Sequence, residues 1–263
     1  MNDEAKQPFL SHLEELRTRL IRSSIAIGIA AVGAYIFREE IFNFLTAPLK
    51  AALPEGERMI ITNPTETIFT YIKISIITGL LISSPYVFLQ IWKFIAPGLY
   101  QNEKKYVIPF VAVSTILFVG GTLFGYLMVL PLGFKVLISM TPDSVEAAIK
   151  VKEYFSLATK MLLGIGVGFE MPIVIFFLTK MGIVDISFLK KNRKYAILLA
   201  FVAAAIFTPP DPVTQCIMAG PMIILFEAGI FFSGLTEKKK KETKEENVEG
   251  EKNKKKDKYK KNY

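Results

Sequence analysis

YFSLATKMLLGIGVGFEMPIVIFFLTK, residues 154–180, is an apolar run long enough to span a bilayer, with one glutamate, Glu170, near its middle. A charge at that depth costs at least ~2.5–3.5 kcal/mol, so an ionisable group there is a functional candidate by default. Thr159, Gly166 and Glu170 stand at i, i+7 and i+11. They therefore share one helix face, where a neighbouring segment can approach closely. Pro172 removes a backbone N–H, frees the carbonyl of Gly168 and predicts a kink beside the carboxyl. Two readings remain open at this point: a face that docks polar groups of partner helices, or a neutral Glu170 that only joins two helices of the chain.

Outward from this run, 51% of the 263 residues are hydrophobic and the mean hydropathy is +0.37. Several long uncharged runs recur, which predicts an all-α polytopic membrane protein. The net charge of +8 resembles a nucleic-acid signal until it is located: residues 237–263 hold 12 Lys against 7 acidic groups, leaving +3 for the rest. A Lys/Glu-rich, apolar-poor segment cannot bury enough surface to fold, so it reads as a solvated tail and nucleic acid is not an expected partner. Three regions follow: an amphipathic cytoplasmic segment, 1–19; a transmembrane domain, 20–235; and a charged cytoplasmic tail, 236–263. The first segment carries charges up to the first apolar run and lacks a signal-peptide cleavage pattern, so that run is expected to stay in the membrane. Cys216, the single cysteine, reads as packing.

Six spans are expected. The first helix should start at Ser11, with Ser11 and Glu14 as a capping box and His12 in the first turn, and run apolar from Leu20 to Phe37. An interfacial helix and loop occupy 38–65, and span two covers Glu66 to Leu89, kinked where Pro85 frees the carbonyl of Leu81. Span three covers Val107 to Leu132, and span four is the Glu170 run. Span five, Tyr195 to Phe207, has 13 residues. That gives about 20 Å of helix against a hydrocarbon core of about 30 Å. With span six, Val213 to Gly234, it predicts a short, shallow hairpin turned by TPPDP (208–212), which places Asp211 deep. Lys and Arg concentrate in the first segment and in loops two and four, 12 in all, against 6 in loops one, three and five. Both termini are thus expected in the cytoplasm.

Phosphate-binding loops, zinc motifs and nucleophile elbows are absent from the sequence, so neither a metal nor a cofactor is expected. What remains is a set of carboxylates: Glu14, Glu15 and Glu103 at the cytoplasmic surface, Glu170 and Glu227 in the membrane, Asp211 outside. Glu15 can pair with Arg19 at i, i+4 for a few tenths of a kcal/mol. Alternatively, two carboxylates on facing segments would bind a pair of guanidinium groups, since bonds from Arg to carboxylates are short, directional and about twice as strong as neutral ones. Residue chemistry alone leaves these open. It also leaves open a proton-coupled solute transporter with Glu170 as carrier, whereas an intramembrane enzyme lacks a nucleophile with a base.

Six stretches carry a resemblance: HLEELRTRL (12–20), FLTAPL (44–49), FIAPGLYQNEKK (94–105), FGYLMVLPL (124–132), GVGFEMP (166–172) and FTPPDPVTQ (207–215). In order and spacing, across nearly all of 8–235, they resemble the TatC family, the multi-spanning core of the twin-arginine protein translocase. The resemblance implies a six-helix receptor with both termini in the cytoplasm of an inner or plasma membrane. It implies that the chain binds twin-arginine signal peptides of folded cargo and works with single-span TatA and TatB subunits in a homo-oligomeric receptor complex driven by the proton-motive force. By motif, it assigns Glu15, Arg17, Phe94 and Glu103 to signal-peptide binding, and Glu170 and Gln215 to intramembrane docking of partners. Pro48, Pro85 and Asp211 are expected to be structural or outer-side residues. The tail matches no family motif.

Overall fold

The computed structural model describes residues 6–53, 59–95, 107–142 and 148–235. They form helices joined by short connections: α1 (Lys6–Ile36), α2 (Arg38–Ala52), α3 (Thr65–Ile95), α4 (Val107–Phe124), a π-helical segment (Gly125–Val129), α5 (Leu130–Ser139), α6 (Val151–Phe169), α7 (Met171–Lys180), α8 (Ile186–Lys191), α9 (Arg193–Phe207) and α10 (Pro212–Leu235). Five helical stretches are long and apolar enough to cross a membrane: α1, α3, α4 through α5, α6 through α7, and α10. This is a multi-pass, nearly all-helical membrane protein. With 15 residues, α9 spans about 22 Å and falls short of a hydrocarbon core.

Helix α6 is the centre of the bundle. Tyr154, Phe155, Met161 and Ile165 are fully buried, joined by Leu49 of α2, Ile74 of α3, Leu130 of α5, Ala204 of α9 and Met218 of α10. Small residues allow this convergence. A Cβ on Gly166 would lie 2.7 Å from Thr122 Oγ1 of α4, and one on Gly164 would lie 2.6 Å from Met218 of α10 and Phe207 of α9. The expected close approach on the Thr159–Gly166–Glu170 face is therefore made by α4. At the edge of the bundle, α1 lies against α3, where a Cβ on Gly79 would stand 2.6 Å from the backbone nitrogen of Ala31. The rest of α1 presents Ile25, Ile29, Val32 and Ile36 outward, a surface suited to lipid.

Prolines inside helices each leave a carbonyl without its i+4 donor, and the structure answers them differently. Pro85 does not break α3, because the hydroxyl of Ser84 donates to the freed carbonyl of Leu81 at 2.7 Å. Pro48 sits buried in α2, and Tyr126 Oη donates to the freed carbonyl of Phe44 at 2.8 Å. Pro131 is preceded by the π segment, in which Leu130 N–H reaches back to the carbonyl of Gly125. Pro172 ends α6: the chain turns at Glu170, whose N–H bonds the carbonyls of Val167 and Gly168, and restarts as α7.

Several expectations need correction. Helix α1 is already helical at Lys6, ahead of Ser11. Ser11 and Glu14 therefore do not form its N-terminal capping box, and His12 lies beyond the first turn. Helical span three continues past Leu132 to Ser139, since the π segment absorbs Pro131 without ending the helix. The expectation that helices five and six are both short holds for one arm only: α10 has 24 residues and is long enough to cross. Cys216 is exposed, not packed, because Met218, Ala219 and Met222 form the buried face of α10.

The bundle has two distinct ends. At one, the start of α1 meets the end of α3, and Trp92 of α3 stacks on Phe110 of α4 at 4.7 Å and meets Phe177 of α7 edge-on at 4.9 Å. The end of α10 lies at this end too, through an ion pair between Arg193 of α9 and Glu227 of α10 at 2.8 Å. At the opposite end, α2 lies across the bundle, and Ile60 and Lys150 form an isolated parallel bridge between the first and third loops.

Candidate functional site

The terminal end carries the charged cluster. On α1, His12, Glu15 and Arg19 follow one another at i, i+3 and i+7, so one helix face presents all three. That face meets α3. The His12 ring stacks on Phe94 with centroids 4.3 Å apart. Glu15 Oε1 accepts two bonds from Arg19, from Nε at 2.9 Å and from Nη2 at 2.5 Å, while Oε2 lies 3.9 Å from His12 Nδ1. Arg19 Nη1 donates to Gln90 Oε1 of α3 at 3.2 Å. Glu15 and Arg19 are half-buried by the neighbouring helix, and the amide of Gln90 is buried.

Of the residues named for signal-peptide binding, Glu15 and Phe94 are thus brought together, with His12 between them. Arg17 is exposed on the far side of the helix turn, and Glu103 lies outside the described residues. Glu14 is exposed, and its carbonyl accepts the hydroxyl of Thr18 at 2.9 Å. Sequence reasoning anticipated the Glu15–Arg19 pair but missed Gln90 and assigned His12 no contact. Gln90 fell one residue beyond the expected end of span two at Leu89. Had that span been carried to Ile95, a polar amide inside it would have stood out by the argument that singles out Glu170.

Glu170 occupies the turn between α6 and α7, where its carboxyl does not cap α7. One of its oxygens is buried with no hydrogen-bond partner among the described residues, and the group faces Ser114 of α4. The Ser114 hydroxyl in turn accepts from Trp92 Nε1 at 3.3 Å. A polar line therefore runs from α3 through α4 to the helix break, inside otherwise apolar packing.

The other two named polar residues hold the α9–α10 hairpin. Asp211 is the N-cap of α10: Oδ1 accepts the backbone N–H of Thr214 at 2.7 Å and Oδ2 accepts its hydroxyl, with Pro212 opening the helix. Gln215 Nε2 donates to the carbonyl of Phe201 of α9 at 2.9 Å. Among the described residues, no group of three or more His, Cys, Asp or Glu side chains is arranged to hold a metal ion.

Residues 11–221 match the family model described as Sec-independent protein translocase protein (TatC). A relative of the same description from Desulforapulum autotrophicum is 48% identical over 94% of this chain and 92% of its own length. One from Escherichia coli K12 is 38% identical over 89% and 90%. The fold is similar to that of a solved twin-arginine translocase receptor TatC, with a TM-score of 0.77 and 42% identity over 85% of this chain and 98% of the other. The chain therefore belongs to the TatC family of Sec-independent protein translocase proteins, components of membrane protein transport and not enzymes.

Proposed function

We propose that this chain is the receptor subunit of a twin-arginine translocase and binds twin-arginine signal peptides of folded cargo at its terminal end, with Glu15, Arg17, Phe94 and Glu103 as the contacting residues. The observation that carries this reading is the state of Glu15. It is a carboxylate at the end where α1 begins and α10 finishes, already hydrogen-bonded to a guanidinium, so its chemistry suits the ligand. Both termini then lie in the cytoplasm and the chain crosses a cell inner membrane six times, α9 being the short crossing. The amphipathic segment 1–19 and the tail 236–263 flank that domain. TatA- and TatB-type single-span subunits and further copies of the chain are the working partners, and the proton-motive force drives export.

The test measures binding of a synthetic twin-arginine peptide, with a Lys-Lys version as control, to the full chain. Glu15→Gln or Glu103→Gln should each weaken the arginine peptide by ~1.5–3 kcal/mol, the worth of hydrogen bonds to charged groups. Unchanged affinity in the double variant rejects the site. A solute transporter would instead show uptake by this chain alone.

Glu170 and Gln215 are proposed to dock polar groups of partner helices. Glu170 is the stronger candidate, since one of its oxygens has no hydrogen-bond partner among the described residues, whereas Gln215 is engaged by Phe201. A neutral carboxyl can donate one hydrogen bond and accept others, as an amide can. Glu170→Gln should thus keep much of the translocation activity, and Glu170→Ala should lose cross-links to partner helices while retaining peptide binding. Equal inactivation by both substitutions with cross-links intact would mean that the proton itself matters.

A further inference from the structure

We infer that Arg19 is a resident stand-in for the incoming guanidinium: a signal peptide takes Glu15 by exchange with Arg19, and Arg19 thereby sets how sharply the site tells arginine from lysine. The inference rests on the reading of Glu15 as a guanidinium acceptor.

Three features of the geometry support exchange over simple helix support. Both bonds from Arg19 fall on the same oxygen of Glu15, Oε1, at 2.9 and 2.5 Å. The other oxygen is left toward His12 at 3.9 Å, beyond hydrogen-bond reach, so a newcomer has an acceptor before Arg19 departs. Arg19 also has a second anchor in a different helix, Gln90 Oε1 at 3.2 Å, and Gln90 is only 4% exposed. When Glu15 is taken, Nη1 can keep that bond, so the displaced side chain stays on α3 and retains part of its hydrogen bonding. Finally, an isolated i, i+4 pair on a helix surface needs no third partner. Here the pair is fixed by tertiary structure, with the arginine side chain 19% exposed.

Discrimination follows from the chemistry of the two cations. A guanidinium carries a planar fork of donors and can occupy Oε2 and then replace the two bonds that Arg19 gives to Oε1. An ammonium is a compact point charge with no fork. It meets a carboxylate whose charge is already neutralised, and it cannot reproduce the bonds it must displace. A resident arginine thus penalises lysine more than arginine, and an empty carboxylate would not.

The experiment titrates the full chain in nanodiscs with a fluorescent twin-arginine peptide and its Lys-Lys counterpart, for the wild type, Arg19→Gln, Arg19→Lys and Glu15→Gln, with thermal melting of each variant as the folding control. Arg19→Gln should bind the arginine peptide roughly two- to fivefold more tightly, the scale of one partly exposed ion pair. It should improve the lysine peptide by more, so the ratio of the two affinities falls. Arg19→Lys keeps a cation beside Glu15 but not the fork, and should lower the ratio as well. Weaker arginine-peptide binding in Arg19→Gln, or a wild-type ratio in both Arg19 variants, overturns the inference. Glu15→Gln separates the two levels: if it leaves the arginine peptide unaffected, the receptor reading of Glu15 itself fails.

Discussion

The two ends of the bundle are held by different kinds of bond. At the end where α2 lies across the helices, two tyrosines close the structure: Tyr126 donates to the carbonyl of Phe44, stripped of its helical partner by Pro48, and Tyr154 donates to the carbonyl of Leu45. Both bonds are neutral, and Tyr154 is fully buried, its ring against Phe134 and Phe155. At the terminal end the corresponding ties involve charges: Glu15–Arg19–Gln90, partly buried between α1 and α3, and Arg193–Glu227, nearly half exposed. The Tyr154 bond is part-buried and the Tyr126 bond exposed, but both are neutral, so salt has no charge pair to screen, and a carbonyl freed by proline forfeits a hydrogen bond without its donor. Charged contacts near water can trade partners at small net cost. One end is therefore built to keep its shape, and the other to exchange contacts.

The largest expected effect lies at the closed end and breaks the comparison if it is missing. Tyr126→Phe removes the donor to the carbonyl of Phe44 while keeping the ring that stacks on Phe44 at 4.4 Å. The loss should be about 0.5–1.5 kcal/mol, the net worth of one hydrogen bond, read as a lowered melting temperature in detergent. Pro48 supplies an internal control, since Pro48→Ala restores a backbone N–H four residues after Phe44. In that background Tyr126→Phe should cost clearly less, and a coupling energy near zero would mean that Tyr126 does not stand in for the missing donor.

Much of this closed end was legible in the sequence as isolated facts, and its wiring was not. Pro48 is visible to any reader, and helix geometry says that it frees the carbonyl of Phe44. That the replacement donor sits 82 residues away on a π-helical turn depends on packing, which no local pattern encodes. Pro85 likewise marks a freed carbonyl at Leu81, and that the hydroxyl of Ser84 donates to it appears only in the structure. Hydropathy fixed the long apolar helices and the shortness of α9, since both follow from composition along one segment. It could not show that α1 is already helical ahead of Ser11, where polar residues continue the helix without an apolar signal. At the site, the i, i+4 spacing of Glu15 and Arg19 is local and was read. The stacking of His12 on Phe94 and the reach of Arg19 to Gln90 join helices far apart in sequence, and they appear only once α1 lies on α3.

The smallest expected effect sharpens the comparison from the terminal end. Arg193 Nη2 and Glu227 Oε2 lie 2.8 Å apart and tie the start of α9 to α10, with both side chains nearly half exposed. Such a pair is screened by water and salt and loses side-chain entropy on forming, so its net worth should be about 0.2–1 kcal/mol. A double-mutant cycle with Arg193→Gln and Glu227→Gln isolates that term from the separate effects of each substitution. Raising the salt concentration to about 1 M, where the screening length falls to about 3 Å, should shrink the coupling, while the Tyr126–Pro48 coupling should stay unchanged. If instead the ion pair proves as strong as the tyrosine bond and is indifferent to salt, the terminal end is as fixed as the other. The picture of one closed and one exchangeable end then fails, even if each contact stands where it is described.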